Sequence, residues 1–310
     1  MVFAVNNTSS PWSSVSKKIG DVSSMREAME KANVNYSIVK EPLCRTDGSV
    51  IPNNFGVMRE DTGQVFDTVK NSWQPLQNVD AFNFFDPMIE EGLMTVDSVG
   101  AIKGGERMFI TCKINQPPMT IVGNDIINPY MLLLNSHNAK SSIRVGFIPI
   151  RFSCTNQLPS IMRNGASQIL RIRHSRSPKD SLEGLREVLN LAAGEFQGTQ
   201  EQLQFLASRP ITYSQTREYI KTVLGIEEED KDIPTRSLNI IETIVALSEN
   251  GRGNDVAGIR GTFYAATMAF NEYINYYSGR NVDTRMESLW LGKNAVLNSK
   301  ALTMALEMAS

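Results

Sequence analysis

The sequence predicts an α+β protein, an antiparallel β-sheet N-terminal part followed by an α-helical C-terminal bundle. Two observations carry this. Up to about residue 178 the apolar residues recur with a period of two between turn-forming Gly, Asp and Asn. Beyond Ser177 and Pro178 they recur at intervals of three and four. Strands gathered first and helices afterwards exclude a parallel sheet with crossover helices. The expected division is therefore 1–178, β-rich, and 179–310, helical.

Residues 1 to about 20 read as an irregular arm anchored by Trp12. Ser23 and Ser24 precede MREAMEKA, a short helix with a Ser cap and Glu27 in its first turn. Between Tyr36 and Asn71 the runs NYSIVKEPL, NFGVMRE and QVFDTVKN read as short strands. Asp47-Gly48, Pro52 to Asn54 and Asp61 to Gly63 separate them, which is turn chemistry for antiparallel hairpins. Asn78 is expected to cap a helix bearing Phe82, Phe85 and Ile89, interrupted by Pro87 and ended at Gly92. LMTVDSVGAI and RMFITCKI read as strands joined by a tight hairpin at Lys103 to Gly105. NPYMLLLNS, SSIRVGFIPI and RFSC are three further β-type runs, with Pro149 expected to break the register. TNQLPSIMRNG reads as a helical connection and QILRIRH as a last strand. In the helical part, Leu182, Leu185, Leu189, Ala192 and Phe196 form one apolar stripe. Further helices are expected over 214–224, 237–249, 262–277 and from Arg285 onward.

A chain of 310 residues, 41% hydrophobic and 21% charged, has the composition of a soluble globular protein with a proper core. Cys44, Cys112 and Cys154 are widely separated and odd in number, so free thiols and a reducing cytoplasm are expected. The start lacks a basic region followed by an apolar core, and no apolar run has the ~18 residues of a membrane span. Neither a signal peptide nor a membrane partner is expected.

Charge gives the functional lead. The 54 residues from Ile126 to Lys179 contain no Asp or Glu, but eight basic residues: Lys140, Arg144, Arg151, Arg163, Arg171, Arg173, Arg176 and Lys179. The other 256 residues hold 23 basic and 33 acidic side chains, so a net charge of −2 conceals a strongly polarised chain. Such asymmetry is expected of a surface that meets polyanions. The competing expectation is that these arginines pair internally with carboxylates of the acid-rich remainder.

Within this window, alternation in QILRIRHSR puts Arg171 and Arg173 on one strand face. The turn NSHNAK offers His137, Asn138 and Lys140 as donors for phosphate oxygens. The expected nucleic-acid-binding residues are Lys140, Arg144, Arg151, Arg163, Arg171, Arg173, Arg176, His137 and Asn138, with Lys140, Arg144, Arg151, Arg163, Arg171 and Arg173 sharing one exposed face. Phe147, Phe152 and Tyr130 are candidate base-stacking residues, with burial in the core as the alternative. Two histidines and three scattered cysteines provide no metal-ligand spacing, so no metal is expected. The glycine-rich stretch Gly251 to Gly261 lacks the Lys-Ser/Thr of a phosphate-binding loop and reads as a flexible inter-helix loop. No catalytic residue and no cofactor are expected. An enzyme acting on nucleic acid would need His137 as its base and acids from outside the window, such as Asp86, Asp97 or Glu106.

Several motifs carry a family resemblance: QPLQN (Gln74 to Asn78), FFD (Phe84 to Asp86), GER (Gly105 to Arg107), NSHNAKSS, IPIRFSCTNQL and the late RIRH. GTFYAATMAFNEYINYYSGR and LWLGKNAVLNSKAL continue the set. From about Gly56 to Met308 the chain resembles the phage/plasmid-like protein family defined by domain of unknown function 932. The family's frequent Asp-Gly after the histidine of the NSH turn is replaced here by Asn138 and Ala139. The resemblance implies a mobile-element setting and a bacterial cytoplasm, with no assigned activity. At fold level, hairpins followed by helices are also similar to the single-strand annealing recombinases of phages. The expected function is thus a homo-oligomeric single-stranded nucleic-acid binder, DNA favoured, extending to strand annealing and DNA recombination. The alternatives are an interaction protein or host-defence inhibitor binding an acidic partner, and a nucleic-acid-acting enzyme.

Overall fold

The computed structural model describes residues 9–138, 143–153, 155–158, 194, 196–226 and 233–310. An antiparallel main sheet runs β1 (Ser16–Lys18), β5 (Met94–Ile102), β6 (Arg107–Ile114) and β8 (Ile126–Ser136). Strands β7 (Met119–Thr120) and β9 (Arg144–Arg151) both pair with β8. A smaller antiparallel sheet holds β2 (Ile38–Cys44), β3 (Val50–Arg59) and β4 (Val65–Val69). The N-terminal part also contains α1 (Met25–Lys31), α2 (Asn78–Phe82) and α3 (Asp86–Glu90). Beyond Leu158 the described elements are helices: α4 (described over 196–208), α5 (Tyr213–Leu224), α6 (Thr235–Asn250), α7 (Phe263–Glu272), α8 (Val282–Leu291) and α9 (Lys293–Ala309). The α+β class with sheets first and helices afterwards is what the structure has.

The main sheet is covered on both faces. Met131, Leu133 and Val145 pack with α1, α2, α3 and the small sheet in one core. Leu132, Leu134, Ile148 and Phe109 belong to a second core with helices α4 to α9. The unbroken apolar run Met131 to Leu134 is therefore a strand buried on both sides. The second core draws on residues from both sides of the expected boundary, which itself lies outside the described residues. Trp12 anchors the N-terminal arm there, 6.3 Å from the Trp290 ring. Where β1 pairs with β5, a Cβ on Gly100 would lie 2.2 Å from the Val15 carbonyl oxygen, so glycine is needed for the close approach.

Several local expectations need correction. Pro52 to Asn54 is not a turn. It lies within β3, where Asn53 adopts φ 57° and the pairing with β2 shifts register between Pro42 and Cys44. Asn78 does not cap its helix; Gln77 holds that position, and Asn78 is buried. Pro149 does not break β9, because it stands opposite Pro129 in the ladder with β8. RFSC contributes only Arg151 to a strand, and the chain turns at Phe152 and Ser153. The single C-terminal helix is two, separated at Gly292. The expected elements at TNQLPSIMRNG, apart from its first residues, and at QILRIRH lie outside the described residues, as does most of the 182–196 stripe. Among the described residues, no helix is long and apolar enough to cross a membrane.

Candidate nucleic-acid interface

Because both faces of the main sheet are covered, the described strands offer their ends to a large ligand, not a face. One end brings together Arg107 at the start of β6, Asn138 just after β8 and Arg144 at the start of β9. Ladder register fixes this arrangement, with Arg107 opposite Ser136 and Arg144 opposite Leu134. Arg107 and Arg144 flank β8 and are thus separated by two strand spacings, about 10 Å. Together with Thr284 and Ser288 of α8 they line a cleft of about 490 Å³.

The cleft contains carboxylates as well as cations. Glu287 of α8 receives Lys103 Nζ at 2.6 Å and Arg107 Nη2 at 3.0 Å. Asp283, one helical turn earlier, accepts the Lys103 backbone N–H at 2.9 Å. These two acids fix the Lys103 to Gly105 hairpin against the bundle. Glu106 accepts from Asn138 Nδ2 at 2.6 Å, and its carbonyl accepts the His137 backbone N–H at 2.8 Å. The turn after β8 is therefore tied to the β5–β6 hairpin. Buried Arg107 Nε has no hydrogen-bond partner among the described residues.

Two of the expected nucleic-acid-binding residues are interior. Arg151 is fully buried, with Nε 2.8 Å from Asp125 Oδ1; Tyr264 donates its hydroxyl to the same carboxylate at 2.6 Å. Its other nitrogens donate to the carbonyls of Arg252 and Gly253 and to Asn254 Oδ1. The glycine-rich stretch is consequently not a free loop at these positions but a ring of acceptors closed around a guanidinium. Gly253, at φ 72°, allows that approach: a Cβ there would meet Ser153 Oγ at 2.3 Å. For Arg151 the internal-pairing alternative holds.

His137 is 1% exposed, so it cannot contact phosphate from the surface. Asn78 Nδ2 donates to the Val34 carbonyl, which turns Asn78 Oδ1 towards His137 Nε2 at 2.9 Å and Asn135 Nδ2 at 3.1 Å. Nε2 therefore carries the imidazole proton. Phe66 stacks on the ring and Tyr36 meets it edge-on, and this burial lowers its pKa to about 4. A ring held neutral inside a core is a structural histidine.

Asn138 and Arg144 are half-buried and line the cleft. Lys140, Arg163, Arg171, Arg173 and Arg176 lie outside the described residues. Of the acids considered for an enzyme, only Glu106 adjoins the cleft. Asp86 accepts the Met25 backbone N–H, and Asp97 accepts from Ser98 Oγ. Cys154 is not among the described residues. No group of three metal-ligating side chains occurs among the described residues. Sequence reasoning missed Arg107, which precedes the acid-free window, and the α8 wall. The spacing of Asp283 and Glu287 by four residues was the available signal, since it puts both acids on one helix face.

The sequence model of a family described as a domain of unknown function (DUF932) matches residues 65–290. The chain belongs to this family. The match takes in Arg107, Asn138, Arg144, Thr284, Glu287 and Ser288 of the cleft, while its last lining residues, Leu291 and Gly292, lie just beyond the matched region. No curated protein and no solved structure matches the chain.

Proposed function

We propose that this DUF932 protein binds single-stranded nucleic acid, DNA in preference, by its phosphate backbone and without sequence readout. The observation that carries the reading is the cleft at Arg107, Asn138 and Arg144, placed where the acid-free window leaves β8 and re-enters at β9. Assigning Arg151 to the interior leaves seven basic residues and no acid in that window. Glu287 and Glu106 are already engaged by Lys103, Arg107 and Asn138, which lowers the repulsion a phosphate would meet.

In the phage or plasmid setting implied by the resemblance, the protein would act in the cytoplasm as a homo-oligomer. Holding the backbone while leaving base edges open suits strand annealing. Equilibrium titration of a fluorescent single-stranded oligonucleotide tests this reading. Binding that weakens steeply between about 50 mM and 200 mM salt is expected. No binding at the lower salt contradicts it.

A further inference from the structure

The geometry points to Phe152 as a base-stacking platform for single-stranded nucleic acid, at the opposite end of β9 from the Arg107–Arg144 cleft. This rests on the nucleic-acid reading and adds to it a second contact of different chemistry. Phe152 is 71% exposed, whereas the other two candidate rings, Tyr130 and Phe147, are half-buried against the two cores. A phenyl ring left in water forgoes one of the largest burial gains available to a side chain. Single exposed apolar residues are ordinary on protein surfaces, so exposure alone would mean little. The turn that presents this ring is the distinguishing feature.

That turn is pinned from several directions. The Phe152 N–H donates to the Ile126 carbonyl at 2.7 Å, and the Thr155 N–H to the Arg151 carbonyl at 2.8 Å. Arg151, immediately before the ring, is locked in its buried pocket, and Ser153 Oγ, immediately after, lies 3.3 Å from Asp125 Oδ1. Thr155 holds φ 53°, an unfavourable conformation for a β-branched residue. Its Oγ1 donates to the Ser9 carbonyl and lies 3.0 Å from the Tyr276 hydroxyl. Buried ties on both sides of Phe152 thus aim the ring outward on a backbone with little freedom to collapse. A ligand stacking there would need to order little of the protein.

The surroundings suit a nucleic acid. Phe152 belongs to the acid-free window, and the Arg252 guanidinium lies over the Tyr276 ring, 4.3 Å from its centroid, beside the same turn. From Arg144 to Arg151 the strand spans about 23 Å. A single strand long enough to reach both ends of β9 would have its phosphates met at one end and a base stacked at the other. Aromatic stacking with a charged track is how sequence-tolerant single-strand binders hold their ligand.

The test compares an oligo-dT strand with an abasic strand of equal length, using wild type, Phe152→Ala and Phe152→Trp. Stacking predicts that wild type prefers oligo-dT and that Phe152→Ala weakens oligo-dT binding by about 5- to 150-fold. Phe152→Ala should leave abasic binding unchanged, and Phe152→Trp should keep the preference. Wild type binding both strands equally, with strong salt dependence, overturns stacking and spares the backbone reading. Wild type binding neither strand overturns both. If Phe152→Ala keeps the oligo-dT preference, or alters only the sedimentation coefficient, the ring is not a base platform and the proposal fails.

Discussion

Asp125 and Arg151 form an ion pair with no solvent exposure on either side chain, Nε to Oδ1 at 2.8 Å. Asp125 stands one residue before the acid-free window, and Arg151 lies well inside it. The pair joins the turn before β8 to the end of β9, and through Arg252, Gly253 and Asn254 it joins both to the α6–α7 connection. Removing one partner would leave an uncompensated buried charge. Arg151→Ala should therefore destabilise the protein by about 3–5 kcal/mol. Arg151→Lys should restore little, because an ammonium cannot reach the carboxylate and the loop carbonyls together as the planar fork does. Chemical denaturation measures both.

Stability should also respond to His137. Its folded-state pKa is about 4, below the ordinary 6.5, because burial disfavours the imidazolium. The unfolded chain therefore takes up the proton first as pH falls. The contribution is neutral above about pH 6.5, turns destabilising through the window down to about 4, and levels off below that, amounting to about 3 kcal/mol. Denaturation midpoints at pH 7 and pH 5 should differ in wild type, and the difference should shrink in His137→Gln. An NMR titration that finds the His137 ring charged in the folded protein at pH 6 would refute this.

The two thiols in the described residues should separate cleanly. Cys44 is exposed on β2, while Cys112 is fully buried in β6 and its pKa is pushed up by burial. A thiol reagent should label Cys44 in the native protein and Cys112 only after unfolding. Equal labelling rates would show that β6 is not the sealed strand described here.

Much of the fold was legible because its periodicities are local. Ser24 caps α1, the Asp47-Gly48 and Lys103 to Gly105 turns close their hairpins, and the helical spacings after residue 196 reappear as helices. The misreadings share one cause, tertiary partners that a local pattern does not show. Pro149 survives inside β9 because Pro129 faces it. Asn78 abandons the cap to serve His137 and Asn135. The charge asymmetry was visible, but not which of its members face inward. Arg151 faces inward because Asp125 and Tyr264 receive it, and those partners lie 26 and 113 residues away in the chain.

The most direct test of the account is the salt dependence of single-strand affinity in wild type and Arg144→Ala. Arg144 lines the cleft and is half-buried, so a denaturation curve of the variant accompanies the titration. Wild-type log affinity should fall linearly with log salt, and losing one phosphate contact should make that slope shallower by about 0.7. Replacing Arg144 should weaken all sequences evenly. A wild-type protein whose single-strand affinity is insensitive to salt, or an Arg144→Ala variant with an unchanged slope, would contradict a phosphate-binding role for the cleft.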